Sequence, residues 1–105
     1  DHIEQIINQS EALWQKDKAQ SEALVLDIFK LLKKEHLNDS LKARVYHLYG
    51  KILVDKRQTL AGIDTLQRCI EIKKRVFGDK GPELANTYNY LGIGYLQMRQ
   101  YEDAM

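Results

Sequence analysis

Tyr46, Tyr49, Gly50 and Leu53 recur as Tyr88, Leu91, Gly92 and Tyr95, each 42 residues further along the chain. Within each set the intervals of three and four residues put the side chains on one face of an α-helix. A pattern that returns at a fixed period marks a repeated supersecondary unit. The two glycines sharpen the point. A glycine inside a helix costs about 1 kcal/mol relative to alanine, so its repetition calls for a compensating contact. Close approach of a second helix supplies one. Nine residues after each set comes another small residue, Gly62 and then Ala104, at the expected start of a following helix.

The rest of the chain reads as helices with short punctuation. Ile3, Ile6, Ile7, Leu13 and Trp14 have helical spacing, and a polar break follows from Gln15 to Gln20. Ala23, Leu24, Ile28, Leu31 and Leu32 predict a second helix ending near His36, and Asn38-Asp39-Ser40 supplies an N-cap for a third over about Leu41 to Val54. Asp55 to Gln58 is a turn. The fourth helix carries Ile63, Leu66, Cys69, Ile70, Val76 and Phe77 as buried positions, and Lys73, Lys74 and Arg75 suit the negative end of its dipole. Gly78-Asp79-Lys80-Gly81-Pro82 is the strongest break: Gly78 fits a left-handed cap and Pro82 a first helical turn. A fifth helix is expected over about Glu83 to Met98 and a sixth from near Tyr101. No stretch alternates long enough to predict a strand.

In these features the chain resembles the tetratricopeptide repeat. That signature runs Trp-x2-Leu-Gly-x2-Tyr, then Ala-x3-Phe, then Pro. Tyr88-x2-Leu91-Gly92-x2-Tyr95 followed by Ala104 matches it with Tyr in the Trp position; Leu66 takes the Phe position, Cys69 a small-residue position, and Pro82 the expected proline. The period of 42, the stretch from Glu71 to Ala85 and Asn89-Tyr90-Leu91-Gly92 are similar to the kinesin light chain-like subclass. The resemblance is specific from Ala43 to Met105. Before Leu37 it rests on aligning Ile6, Ser10 and Leu13 with Tyr46, Gly50 and Leu53, with Ser10 in place of the packing glycine and Leu24 where a small residue is expected. It implies an all-α fold of antiparallel helix pairs stacked as a right-handed superhelix, with a divergent first repeat over 1–37, a second over 39–80 and a truncated third over 81–105.

Composition narrows the function. Sixteen Lys or Arg against fifteen Asp or Glu leave a net charge of +1, which exerts no general pull on nucleic acid or an anionic membrane. The clusters Lys30-Lys33-Lys34 and Lys73-Lys74-Arg75 sit at helix C-termini without interleaved aromatics. No apolar run approaches the roughly 20 residues that span a bilayer. Cys69 is the only cysteine, so no internal disulfide or cysteine zinc site is available. It reads as a buried thiol rather than a nucleophile served by His36 or His47. His2, His36 and His47 form no ligand pattern, and no cofactor is expected. The chain starts at Asp1, and the reading expects it to be part of a larger multidomain protein.

What remains is binding. The resemblance implies that the first helix of each pair lines a concave groove, with Tyr46, Gly50, Leu53, Tyr88, Leu91, Gly92 and Tyr95 in the core. Offset around those helices, Arg44, His47, Lys51, Asn86, Asn89, Ile93 and Gln97 form the candidate groove surface. Asn89 leads the set, because an amide pairs with both N–H and C=O of a peptide backbone. Arg44, Lys51 and Asn89 have the residue types of a carboxylate clamp, but its Lys-x3-Asn pattern is missing. The expected function is a non-enzymatic scaffold for a peptide segment or partner domain. The alternative is an oligomerisation or regulatory spacer touching its own neighbouring domains. Leu91, Tyr95 and Met98 should form an exposed stripe at the C-terminal end, inviting self-association.

Overall fold

The computed structural model describes residues 2–32, 38–78 and 81–104. Every regular element among them is helical: α1 His2–Leu13, α2 Lys18–Leu32, α3 Asp39–Asp55, α4 Thr59–Phe77, and α5 Ala85–Ala104, the last preceded by a 3-10 turn over Pro82–Leu84. The predicted punctuation works through identifiable caps. Asp17 accepts from the Gln20 N–H at 3.1 Å, which starts α2 inside the expected polar break. Asn38 accepts from the Leu41 N–H at 2.9 Å and caps α3. Gly78 ends α4 at φ 84°, ψ 174°, a region that only glycine enters without strain. Where α2 ends relative to His36 lies outside the described residues.

Successive helices pack antiparallel. Ser10 of α1 meets Ser21 of α2: each hydroxyl donates to the other's carbonyl, at 3.0 and 2.8 Å, with both side chains fully buried. Small residues thus mark this crossing as expected of Ser10, but its partner is Ser21 rather than a residue at Leu24. In the next pair Gly50 of α3 faces Leu66 of α4, and Gly62 of α4 faces Val54. A Cβ added at either glycine would overlap its neighbour, so the helices are in backbone-to-side-chain contact there. At the other end of the same pair Ala43 packs with Cys69 and Ile72.

The helices form two layers. α3 touches α1 on one side and α5 on the other, while α2 and α4 pack against the backs of their neighbours and do not touch each other. Ile3, Ile7, Ile28, Leu41 and Val45 join α1, α2 and α3, and Trp14, Val25, Leu48 and Ile52 extend that core. Phe29 sits against Tyr49 with ring centroids 4.7 Å apart. Val54, Ile63, Leu66, Ile70, Leu84 and Leu91 join α3, α4 and α5.

Four expectations fail in the second half of the chain. α5 is one helix through Ala104, with no turn before Tyr101. Forty-two residues earlier Arg57 leaves the helical region at φ 63°, and the Gln58 N–H folds back to the Leu53 carbonyl at 2.9 Å. Neither segment contains Gly, Pro or Asn; the earlier turn is held by α4 packing back on α3, and without such a contact Gln97 to Gln100 stay helical. Gly92 is open, with nothing within 4 Å of an added Cβ, whereas Gly94 meets Ile63 at 2.9 Å. Tyr88 and Tyr95, expected in the core with Gly92, are 45% and 50% exposed. Their face corresponds to the α3 face covered by α4, and on α5 no described helix covers it. Val76 and Phe77 at the end of α4 are also exposed rather than buried.

Candidate functional site

The layer formed by α1, α3 and α5 contains a cavity of about 570 Å³. Its walls bring together Glu11 of α1, Arg44, His47 and Lys51 of α3, Lys73 and Phe77 of α4, and Asn86 of α5. Arg44, His47 and Lys51 are placed there by helical spacing, since residues three and four apart share a face. Four of the seven predicted groove residues therefore meet at one site.

The other three separate. Asn89 and Ile93 are exposed on α5 and do not line the cavity. Gln97 is only 8% exposed and is committed to the fold: its Oε1 accepts from the Thr59 hydroxyl at 2.8 Å and its Nε2 donates to the Val54 carbonyl at 3.2 Å. Gln97 is therefore a packing residue. An amide there satisfies backbone and side-chain groups at the α3–α4 turn, which a count around the helix does not reveal.

Arg44 and Glu11 neutralise one another. The guanidinium reaches both Glu11 oxygens, at 3.1 and 2.6 Å, and also Asn8 Oδ1 at 2.6 Å. Such a forked pair is among the stronger hydrogen-bonded arrangements. Lys51 is different. Its ammonium lies 4.5 Å from the centroid of the Trp14 ring and 5.5 Å from that of Tyr90, and no carboxylate of a described residue pairs with it. Burial lowers its pKa, against the pull of Glu11 and Asp55.

A buried polar chain lies beneath. Thr87 is fully buried, and its hydroxyl oxygen is 2.9 Å from both Lys73 Nζ and His47 Nδ1. Lysine can only donate, so Lys73 donates to Thr87; of the acceptors left for the Thr87 hydroxyl proton, Nδ1 at 2.9 Å is nearer and stronger than Cys69 Sγ at 3.8 Å, and we assign the proton to the bond with Nδ1. Burial, then the Lys73 and Lys51 charges, lower the imidazole pKa from 6.5 to about 4. His47 is thus neutral near pH 7 and carries its proton on Nε2. No described residue pairs with Nε2, yet no buried side-chain nitrogen or oxygen among the described residues lacks a partner, so this N–H is accessible.

Cys69 sits behind the same threonine. Its Sγ donates to the Ala43 carbonyl at 3.2 Å and lies 3.8 Å from Thr87 Oγ1. Burial raises the thiol pKa, and Thr87 occupies the histidine nitrogen that a base would use. Cys69 is therefore a buried, protonated thiol rather than an activated nucleophile. No group of three or more His, Cys, Asp or Glu among the described residues is placed to hold a metal ion, and no described helix is long and apolar enough to cross a membrane.

Sequence reasoning missed Thr87 and the role of Lys73. Lys73 sits in a run of three basic residues whose helix-end position suggested only a dipole contact. A threonine at a buried position 42 residues after Val45 was the available signal for a polar cluster. Comparison with known proteins comes to the same region of the chain. The family model for the tetratricopeptide repeat matches residues 41–105. No curated protein and no solved structure matches the chain.

Proposed function

The chain belongs to the tetratricopeptide repeat family, and from that membership we propose that it is an interaction scaffold whose α1–α3–α5 layer holds a peptide segment of a partner protein. Repeats of this family generally mediate protein–protein interaction. The observation that carries the reading is the convergence of Arg44, His47 and Lys51 of α3 and Asn86 of α5 on one cavity. A site assembled from residues distant in sequence, with polar groups from α3 and α5 facing one cavity and its thiol buried and protonated, suits recognition. Asn89 and Ile93 extend the candidate surface along α5. The period of 42 residues supports a kinesin light chain-like subclass, with repeats over 39–80 and 81–105.

The test is selection from a library of short random-sequence peptides, followed by nuclear magnetic resonance mapping of a captured peptide. Amide shifts should change on α1, α3 and α5 and stay unchanged on the outer faces of α2 and α4. Shifts confined to α2 and α4, or no captured peptide, would show the reading to be wrong.

One observation favours self-association as a second reading. Of the expected stripe, Leu91 is buried and Met98 packs against the core, but Tyr95 is exposed on α5 together with Tyr88, Ile93 and Leu96, apolar surface of a kind that monomeric proteins seldom expose. Light scattering should then show a mass that rises with concentration and returns to the monomer value on Tyr95→Lys substitution. A constant monomer mass excludes it.

A further inference from the structure

We propose that α5 is a dimerisation helix: two copies of the chain pack α5 against α5 in antiparallel register, with Tyr95 of each seated on Gly92 of the other. The inference rests on the self-association reading above and names its surface and geometry.

Ala85, Tyr88, Gly92, Tyr95, Arg99 and Glu102 follow one another at alternating intervals of three and four residues. That spacing draws one stripe along α5, of the kind by which two helices interlock. All six residues are exposed. On α3 the position equivalent to Gly92 is Gly50, which receives Leu66 from a packed helix. On α5 the same hollow is open and lies between two half-exposed tyrosines. A side chain from outside the described helices can enter it.

The stripe is complementary to itself. When antiparallel copies cross between Ile93 and Gly94, Gly92 faces the second copy's Tyr95. The same centre sets Tyr88 against Arg99 and Ala85 against Glu102. Each layer thus joins a small residue to a large one, or a ring to a cation. A guanidinium over a tyrosine ring is a favourable contact. Glu102 comes beside the first turn of the opposite α5, which has no acidic residue of its own and whose dipole favours one. A cavity of about 490 Å³ between α4 and α5, lined by Leu60, Ile63, Gln67, Tyr95, Arg99 and Glu102, gives the second copy's Tyr88 room beside Arg99. Two-fold symmetry makes every one of these contacts twice. A parallel pair has no such match: Gly92 would face Gly92 and leave a gap, and Arg99 would face Arg99.

The experiment combines sedimentation equilibrium with disulfide trapping. The wild-type chain should form a dimer as concentration rises. Gly92→Leu fills space that is open in the monomer, so circular dichroism should be unchanged while the dimer Kd rises about tenfold or more, through overpacking of the crossing. If that variant does not fold, Arg99→Glu replaces it and should weaken the dimer about tenfold. Ala85→Cys and Glu102→Cys proteins, mixed and oxidised, should form a disulfide between unlike chains and little between like ones; Cys69 is buried and does not compete. Disulfides between like chains would overturn the antiparallel register. A dimer that neither tightens nor weakens in Gly92→Leu and gives no mixed disulfide would overturn this inference and leave self-association standing through another surface. A mass that stays monomeric at every concentration would overturn both and leave the stripe to a helix of an unlike protein.

Discussion

The two repeated glycines look alike in sequence and differ in what they touch. Gly50 is pressed against Leu66, whereas Gly92 faces open space. Gly50→Ala should therefore destabilise by about 1–3 kcal/mol through overpacking, less what helix propensity returns. Gly92→Ala should stabilise by up to about 1 kcal/mol. Denaturant titration of both variants checks the contrast, and equal effects would contradict it. Helix periodicity shows which side chains share a face but not whether a neighbour occupies it, so the core role of Gly50 was legible and the open setting of Gly92 was not. His47 offers a second measurement. Its folded pKa lies near 4, below the 6.5 of an unfolded histidine, so between those values the unfolded chain binds the extra proton. Stability from this group is complete above pH 6.5 and falls as the solution is acidified towards 4, by about 3 kcal/mol in all. The Lys51 and Lys73 charges facing the ring act in the same direction. Carboxylates titrate in that range too, so the quantity to measure is wild type minus His47→Gln. A difference independent of pH would refute the assignment.

Each helix owes its place to a contact made by its neighbour. The α1–α2 crossing depends on two serines small enough to exchange hydroxyl–carbonyl bonds. Ser21→Leu should force these helices apart and cost about 1–3 kcal/mol, read as a lower thermal midpoint; an unchanged midpoint would show that the crossing tolerates bulk. The positions of α3 and α4 were readable, because both are amphipathic and end at Asn38, Gln58 and Gly78. The first pair was readable only in part, since Ser21 lies within a run of polar residues and carries no apolar signal. The end of α5 was not readable. The turn after α3 contains no breaker and relies on α4, and residues 97–100 have the same local freedom without that support. Half of the candidate site was legible for a related reason: Arg44, His47 and Lys51 follow from one helix face, while Lys73 and Thr87 enter through packing between α4 and α5.

Taken whole, the molecule has α3 at its centre. α1 and α5 do not touch, nor do α2 and α4, and every path between the two ends passes through α3. Hydrogen exchange should accordingly be slowest in the middle of α3 and faster in α1 and the last turns of α5, as expected where stability is set by neighbouring contacts. Uniform protection along all five helices would contradict that gradient. The salt bridges Lys18–Asp55 and Lys56–Glu22 tie the start of α2 to the end of α3, but they are partly exposed and each contributes little. The cavity, by contrast, is walled by α1, α3, α4 and α5 together. A guest lodged there acts as a brace between two ends that otherwise communicate through a single helix, making independent fluctuations concerted. Occupancy at the centre would then be felt as stiffness at the extremities.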